Sequence, residues 1–166
     1  MIPQQLQDYL AKRGFSHIHA QNDNGDTPLL LAVAEENYDI VVMLLEAGVK
    51  VNLKTSKGKS VMYMATLADS RFSELLIQAG GVVNEVYQNR SLLMHCIELI
   101  DREERYKQVG MFLWGGADVN FTNSHGWTAW MMAQQYHPTD IRLLKLLEES
   151  GAQPVDIRPQ QIFYYI

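Results

Sequence analysis

Two short signals recur along the chain in constant order, and together they restrict what it can fold into. The first is a hexamer, Thr27-Pro28-Leu29-Leu30-Leu31-Ala32. It returns as SVMYMA from Ser60, SLLMHC from Ser91 and TAWMMA from Thr128, at spacings of 33, 31 and 37 residues. The second comes after each hexamer: AGVKVN at 47–52, AGGVVN at 79–84 and GGADVN at 115–120. Its closing asparagines, Asn52, Asn84 and Asn120, stand 32 and 36 apart, and SGAQPV at 150–155 is a degenerate further copy. Self-similarity at a fixed period of about 20–50 residues marks stacked units that cannot bury their apolar faces alone.

Each unit reads as turn, helix, turn, helix. Asn24-Gly25-Asp26 makes a tight turn, because Gly25 tolerates positive φ. Thr27 caps a helix through its hydroxyl, and Pro28 fits the first helical position, where no N–H is needed. Leu29 to Ala34 is a short helix, Glu35-Glu36-Asn37 a polar break, and Tyr38 to Ala47 a second helix ended by Gly48. This reading gives repeats at about 22–52, 55–84, 85–120 and 121–153.

On these residues the chain resembles the ankyrin-repeat family, whose unit is about 33 residues long and carries a T-P-L-H-x-A motif. The likeness covers roughly residues 15–153. It implies an all-α solenoid of antiparallel helix pairs joined by projecting hairpin loops. Residues 1–21 are expected to form an N-terminal capping half-repeat, with Ile18 and His19 in the places of the Val-Asn pair. Residues 22–153 hold the four repeats. Residues 154–166 are expected to fold back as a C-terminal cap, because Ile162-Phe163-Tyr164-Tyr165-Ile166 is too apolar for a free end; a tail that binds a partner is the alternative.

The repeats depart from the family pattern at identifiable places. Leu30 stands for the usual histidine and Glu36 for the usual glycine. The second repeat has Val61 for proline and is one residue short between its helices. The third lacks a hairpin glycine, at Tyr87-Gln88-Asn89-Arg90. It also carries about four extra residues around 101–106, read as a solvated loop or an extra helical turn. The fourth is lengthened by about two residues at Tyr136-His137-Pro138-Thr139.

No catalytic constellation stands out. Cys96 occupies the alanine place of its hexamer and should be a small packing residue rather than an activated thiol. His17 and His19 are closely spaced but lack cysteine or carboxylate neighbours at metal-ligand spacing. The Glu35-Glu36, Glu103-Glu104 and Glu148-Glu149 pairs point apart on a helix. Phosphate-binding and nucleophile-elbow motifs are missing. The expectation is a chain without enzymatic activity, metal or cofactor. One cysteine precludes an internal disulfide, the N-terminus lacks a signal-peptide pattern, and no apolar run approaches the roughly 20 residues of a membrane span. A cytoplasmic location is expected.

The resemblance also indicates where a partner would bind, since such stacks use their hairpin tips and the exposed face of the first helices. Carried over, these are Asp23, Asn24 and Asp26; Ser56, Lys57 and Lys59; Gln88, Asn89 and Arg90; and Ser124, His125 and Trp127. Glu35 adds to the acidic end and Lys54 to the basic middle. Trp127 comes directly after the turn glycine and is the strongest single candidate. Trp130 takes a leucine place and should be core. Trp114 either marks a second, convex surface or is covered by the insertion.

The leading function is a non-catalytic protein-binding module that inhibits or regulates its partner. One version is a cytoplasmic immunity protein against a toxin, for which a net charge of −5 suits a basic target. An adaptor or scaffold in a larger assembly and a host-directed effector are the alternatives. Nucleic-acid binding through Lys54, Lys57, Lys59 and Arg90 ranks lower, because the overall charge opposes it.

Overall fold

The computed structural model describes residues 2–99 and 101–155; of the expected cap at 154–166, residues 156–166 lie outside them. The chain runs α1 (Gln4–Lys12), α2 (Pro28–Ala34), α3 (Tyr38–Glu46), α4 (Val61–Ala65), α5 (Ser70–Gln78), β1 (Val86–Tyr87), β2 (Arg90–Ser91), α6 (Leu92–Ile97), α7 (Arg102–Trp114), α8 (Ala129–Tyr136) and α9 (Ile141–Glu149). Each repeat contributes one short and one longer helix, packed as α2 on α3, α4 on α5, α6 on α7 and α8 on α9. Short helices meet in one layer, α2 with α4 and α6 with α8; α1–α3, α5–α7 and α7–α9 meet in the other. This is the expected helical solenoid, with a two-residue antiparallel ribbon, β1–β2, as its strand content among the described residues.

The recurring hydroxyls are caps. The side-chain oxygens of Thr27, Ser60, Ser91 and Thr128 accept from the N–H groups of Leu30, Tyr63, Met94 and Met131 at 3.0–3.3 Å. Asn37, Asp69, Asp101 and Asp140 cap the second-layer helices in the same manner. These helices are 5–13 residues long, too short to persist alone in water, so caps and packing decide whether they form.

The recurring asparagines join one repeat to the next. Asn52 Nδ2 donates to the Gly80 carbonyl at 3.0 Å, and its Oδ1 accepts from the Val82 N–H at 3.0 Å. Asn84 holds Gly116 and Asp118 in the same way, at 3.0 and 2.7 Å. Asn120 holds Gly151 and Gln153 at 2.9 and 3.0 Å, so the degenerate last copy is geometrically regular. His19 does half of the same work: its Nδ1 accepts from the Lys50 N–H at 3.3 Å.

Aligned on Gly48, Gly80, Gly116 and Gly151, the repeats can be compared position by position. Leu45, Ile77 and Leu113 pack against the core, and the fourth repeat has the exposed Glu148 at that place. Trp130 is therefore not the fully buried residue expected from its hexamer. Its counterparts Leu29, Met62 and Leu93 are sealed by a following repeat, whereas Trp130 is half-buried and donates its indole N–H to Glu148 Oε1 at 3.1 Å. Glu36, in the usual glycine place, adopts φ 52°, a left-handed conformation that a side chain tolerates at some cost.

The insertion is an extra helical turn rather than a loop, and not all of its charges are solvated. Arg105 is 4% exposed and its guanidinium reaches Asp140 Oδ2 at 3.0 Å, while Arg102 reaches Asp140 Oδ1 at 3.2 Å. One turn on, the buried Gln108 donates to the carbonyls of Ala65 and Ala68 at 2.8 and 2.7 Å and accepts from the Ser73 hydroxyl at 2.6 Å. The lengthened α7 thus ties the second repeat to the fourth through polar groups. Desolvation pushes the Asp140 carboxyl up, but its bonds to Arg105 and Arg102 outweigh that and leave it below the usual range. Gly110, in the middle of α7, has no packing reason to be glycine: a Cβ there would meet nothing within 4 Å. A helix-interior glycine costs about 1 kcal/mol relative to alanine.

Asn84→Ala removes two bonds between repeats and should cost about 1–2 kcal/mol in urea unfolding. Asp140→Ala strands the buried Arg105 charge and should cost about 3–5 kcal/mol. In the intact protein the Asp140 contribution is present above the ordinary carboxylate value and fades as pH falls through its lowered one, read as the pH dependence of the urea midpoint.

Candidate functional site

The hairpins that lead into α2, α4, α6 and α8 form a row of bonded loops. Three close identically: the N–H groups of Asn22, Thr55 and Asn123 donate to the carbonyls of Asp26, Lys59 and Trp127 at 2.9–3.1 Å. Asn22 and Asn123 side chains take the N–H groups inside their own turns, a job that does not require the missing histidine at Leu30. The third hairpin lacks glycine, and Gln88 and Asn89 both take positive φ, 49° and 63°. Two left-handed central residues make the tight turn that joins twisted antiparallel strands.

Neighbouring loops are fastened together. The Ser56 N–H and hydroxyl both donate to the Asn24 carbonyl, at 3.0 and 2.8 Å. A Cβ on Gly25 would lie 2.7 Å from the Ser56 nitrogen, so glycine is required there by contact as well as by its φ of 76°. Lys54 reaches the buried Glu85 carboxylate at 3.5 Å, linking the second loop to the third. Asn89 Oδ1 accepts from the Ser124 N–H at 3.1 Å, and Asn89 Nδ2 lies 3.2 Å from His125 Nδ1.

Most of the expected partner-binding residues are therefore brought into one row. Asp23, Asn24, Ser56, Lys57, Gln88, Ser124 and His125 lie along it, with Asp26, Lys59, Asn89, Arg90 and Trp127 partly buried among them. Trp127 packs against the core, so part of its ring serves the fold. Glu35 does not join the row. It caps the far end of α2, where Arg13 holds it at 2.6 Å and the Tyr9 hydroxyl approaches at 3.4 Å. Two cations expected to be available are neutralised by neighbours, Lys54 by Glu85 and Arg90 by Glu98 at 3.0 Å. Trp114 is 65% exposed and is not covered by the insertion.

A cluster that sequence reasoning missed sits between the middle loops and their helices. The Tyr63 and Tyr87 ring centroids are 4.3 Å apart, and His95 meets Tyr63 edge-on at 5.0 Å. His95 Nε2 lies 3.1 Å from the Tyr87 carbonyl, and Nδ1 lies 3.7 Å from Glu98. The signal was available: Tyr63 stands in the family's histidine place, one repeat away from a tyrosine in a hairpin. Burial lowers the His95 pKa, and the Tyr87 carbonyl and Glu98 only partly offset it. Cys96, fully buried beside it, has its thiol pushed up by burial, consistent with a packing residue. Among the described residues, no group of three or more histidine, cysteine or carboxylate side chains is placed to hold a metal, and no helix is long and apolar enough to cross a membrane.

Because His95 binds a proton less readily folded than unfolded, stability should fall as pH drops below the ordinary histidine value of about 6.5. The urea midpoint should decline from neutral pH toward that of the protonated form, and His95→Gln should flatten the decline.

The ankyrin-repeat sequence profile matches residues 24–56, from the first hairpin to the second. An ankyrin repeat-containing protein of Treponema pallidum is 30% identical over 128 residues, covering 75% of this chain and 41% of that protein. An ankyrin repeat protein of fowlpox virus is 27% identical over 148 residues, 78% of this chain and 42% of its own length. The nuclear factor NF-kappa-B p105 subunit of Gallus gallus is 28% identical over 104 residues, 62% of this chain and 11% of that protein. The chain thus spans less than half of each of these relatives. Ankyrin repeats are protein–protein interaction modules. By its capped repeats, its asparagine clamps and these relatives together, the chain belongs to the ankyrin-repeat proteins.

Proposed function

We propose that the hairpin row is the recognition surface for a partner protein and that binding there inhibits or regulates the partner. The observation that carries this reading is the row's change of character along a fastened scaffold. Asp23 lies at one end, Lys57 in the middle, and His125 with the half-buried Trp127 at the other, on loops bonded to one another. Bonded loops lose little freedom on binding, so their contacts are not spent on ordering. Asp23 and Lys57 have no ion pair among the described residues and are available to a partner's charges.

Within this reading an inhibitor in the cytoplasm is favoured, and a toxin-neutralising immunity protein is its most concrete form. The net charge of −5 would steer a basic target toward it. Nucleic acid is disfavoured further, since two of the four cations it would use are already paired. An adaptor or host-directed effector would use the same surface and differ only in the consequence of binding.

The test is affinity capture from native lysate, wild type beside a Lys57→Glu/Trp127→Ala double variant, read by mass spectrometry. One protein should be lost selectively with the variant while its circular dichroism stays native, and the captured protein's own activity should fall when wild type is added. Lys57→Glu alone should weaken that complex by about 1 kcal/mol or more. A partner held equally by both forms would remove the hairpin row as the recognition surface.

A further inference from the structure

The third repeat departs from its neighbours at two places that the fold does not explain, and both lie on the second helix layer, away from the hairpin row. Two residues before the helix-ending glycine the repeats carry Glu46, Gln78, Trp114 and Glu149. Six residues before it they carry Val42, Glu74, Gly110 and Lys145. The third repeat alone replaces a polar residue with tryptophan and a side chain with glycine. The tryptophan is 65% exposed, and the glycine has open space at its Cβ position. Neither change serves packing.

The two are one helical turn apart on the same face of α7. Gly110 opens the floor of a groove of about 340 Å³ between α5 and α7, walled by Tyr106, Met111, Ser70 and Glu74, with Arg71 and Lys107 at its rim. Its size is at the lower bound of small-molecule pockets, roughly 300–1,000 Å³, and suits one large side chain. Its chemistry suits an indole in particular. Met111 offers a sulfur–aromatic contact, while the rim cations are already engaged, Arg71 with Asp69 at 3.0 Å and over the Tyr38 ring, and Lys107 with Glu104 at 3.9 Å. Glu74 offers an acceptor for the indole N–H, the pairing that Trp130 already makes with Glu148 at 3.1 Å.

We propose that α7 is a homodimer interface in which Trp114 of each copy enters the Gly110 groove of the other. A surface that carries both a protrusion and its matching recess, side by side, is self-complementary under a two-fold rotation, and both recesses are filled in a closed pair. Two α7 helices crossing antiparallel would bring each Trp114 over the partner's Gly110. Trp114 is not a wall of its own groove and stays exposed beside it. The hairpin row stays open in such a dimer, so each pair would present two recognition surfaces.

The test is sedimentation velocity on the full chain from micromolar to submillimolar concentration, with Trp114→Gln and Gly110→Glu alongside. Each variant installs the residue that α5 carries at the same place, Gln78 and Glu74, so the helix should fold, and circular dichroism confirms it. The wild type should show a concentration-dependent rise toward twice the monomer mass, and each variant should weaken dimerisation at least tenfold. A wild type that stays monomeric throughout, or a dimer that survives either substitution, overturns the proposal.

Discussion

The stack depends on the asparagine at the end of each repeat. An ankyrin unit of one five- to eight-residue helix and one somewhat longer helix has no core of its own. What fixes the next unit in register is a side chain that both donates and accepts, closing on a glycine carbonyl and on an N–H two residues later. Asn52, Asn84 and Asn120 do this with nearly constant geometry, and His19 supplies the accepting half at the start. The requirement is chemical. Asparagine offers a donor and an acceptor from one short amide, whereas aspartate would lose the donor and histidine presents its two nitrogens in different directions.

Around that ladder the repeats vary in how they reach the same end. The hairpin tolerates a glycine turn, a threonine-braced turn or the two left-handed residues Gln88 and Asn89, because each returns the chain to a hydroxyl cap. The third repeat absorbs an extra helical turn by burying Arg105 and Gln108 against Asp140, Ser73 and the carbonyls of the second repeat. These polar contacts come with a desolvation cost, offset by the bonds of the Arg105 terminal nitrogens and of the Gln108 amide. They also add side-chain bonds from the third repeat to both of its neighbours, beside the asparagine clamps.

The fold was legible because it is written four times. Caps, helix ends and clamping asparagines each recur, so the period could be read before any helix was assigned, and even the degenerate copy at 150–155 keeps its place. What was not legible depended on neighbours in space. Trp130 has a core residue's position in its hexamer, but its burial rests on a following repeat that is not there among the described residues. Glu35 looked like part of an acidic end, yet Arg13, just past α1, takes it out of the hairpin row. Arg105 reads as one charge among five and is buried because Asp140, 35 residues on, faces it. The Tyr63–Tyr87–His95 cluster combines two adjacent repeats, so no single unit displays it.

Repetition also supplies its own control for function. Where all units agree, as at the caps and clamps, the residue answers to folding. Where one unit departs and the structure shows what the change bonds to, as with Arg105, the departure is still structural. A departure with no such partner has no explanation among the described residues. Trp114 and Gly110 are of this last kind, and so are Asp23 and Lys57 at the loop tips. The first pair lies on the second-helix layer and the second on the hairpin row. The unexplained positions therefore divide between two separate surfaces of one rigid stack. Geometry allows both to be used at once, and neither would need to rearrange the core that holds the other.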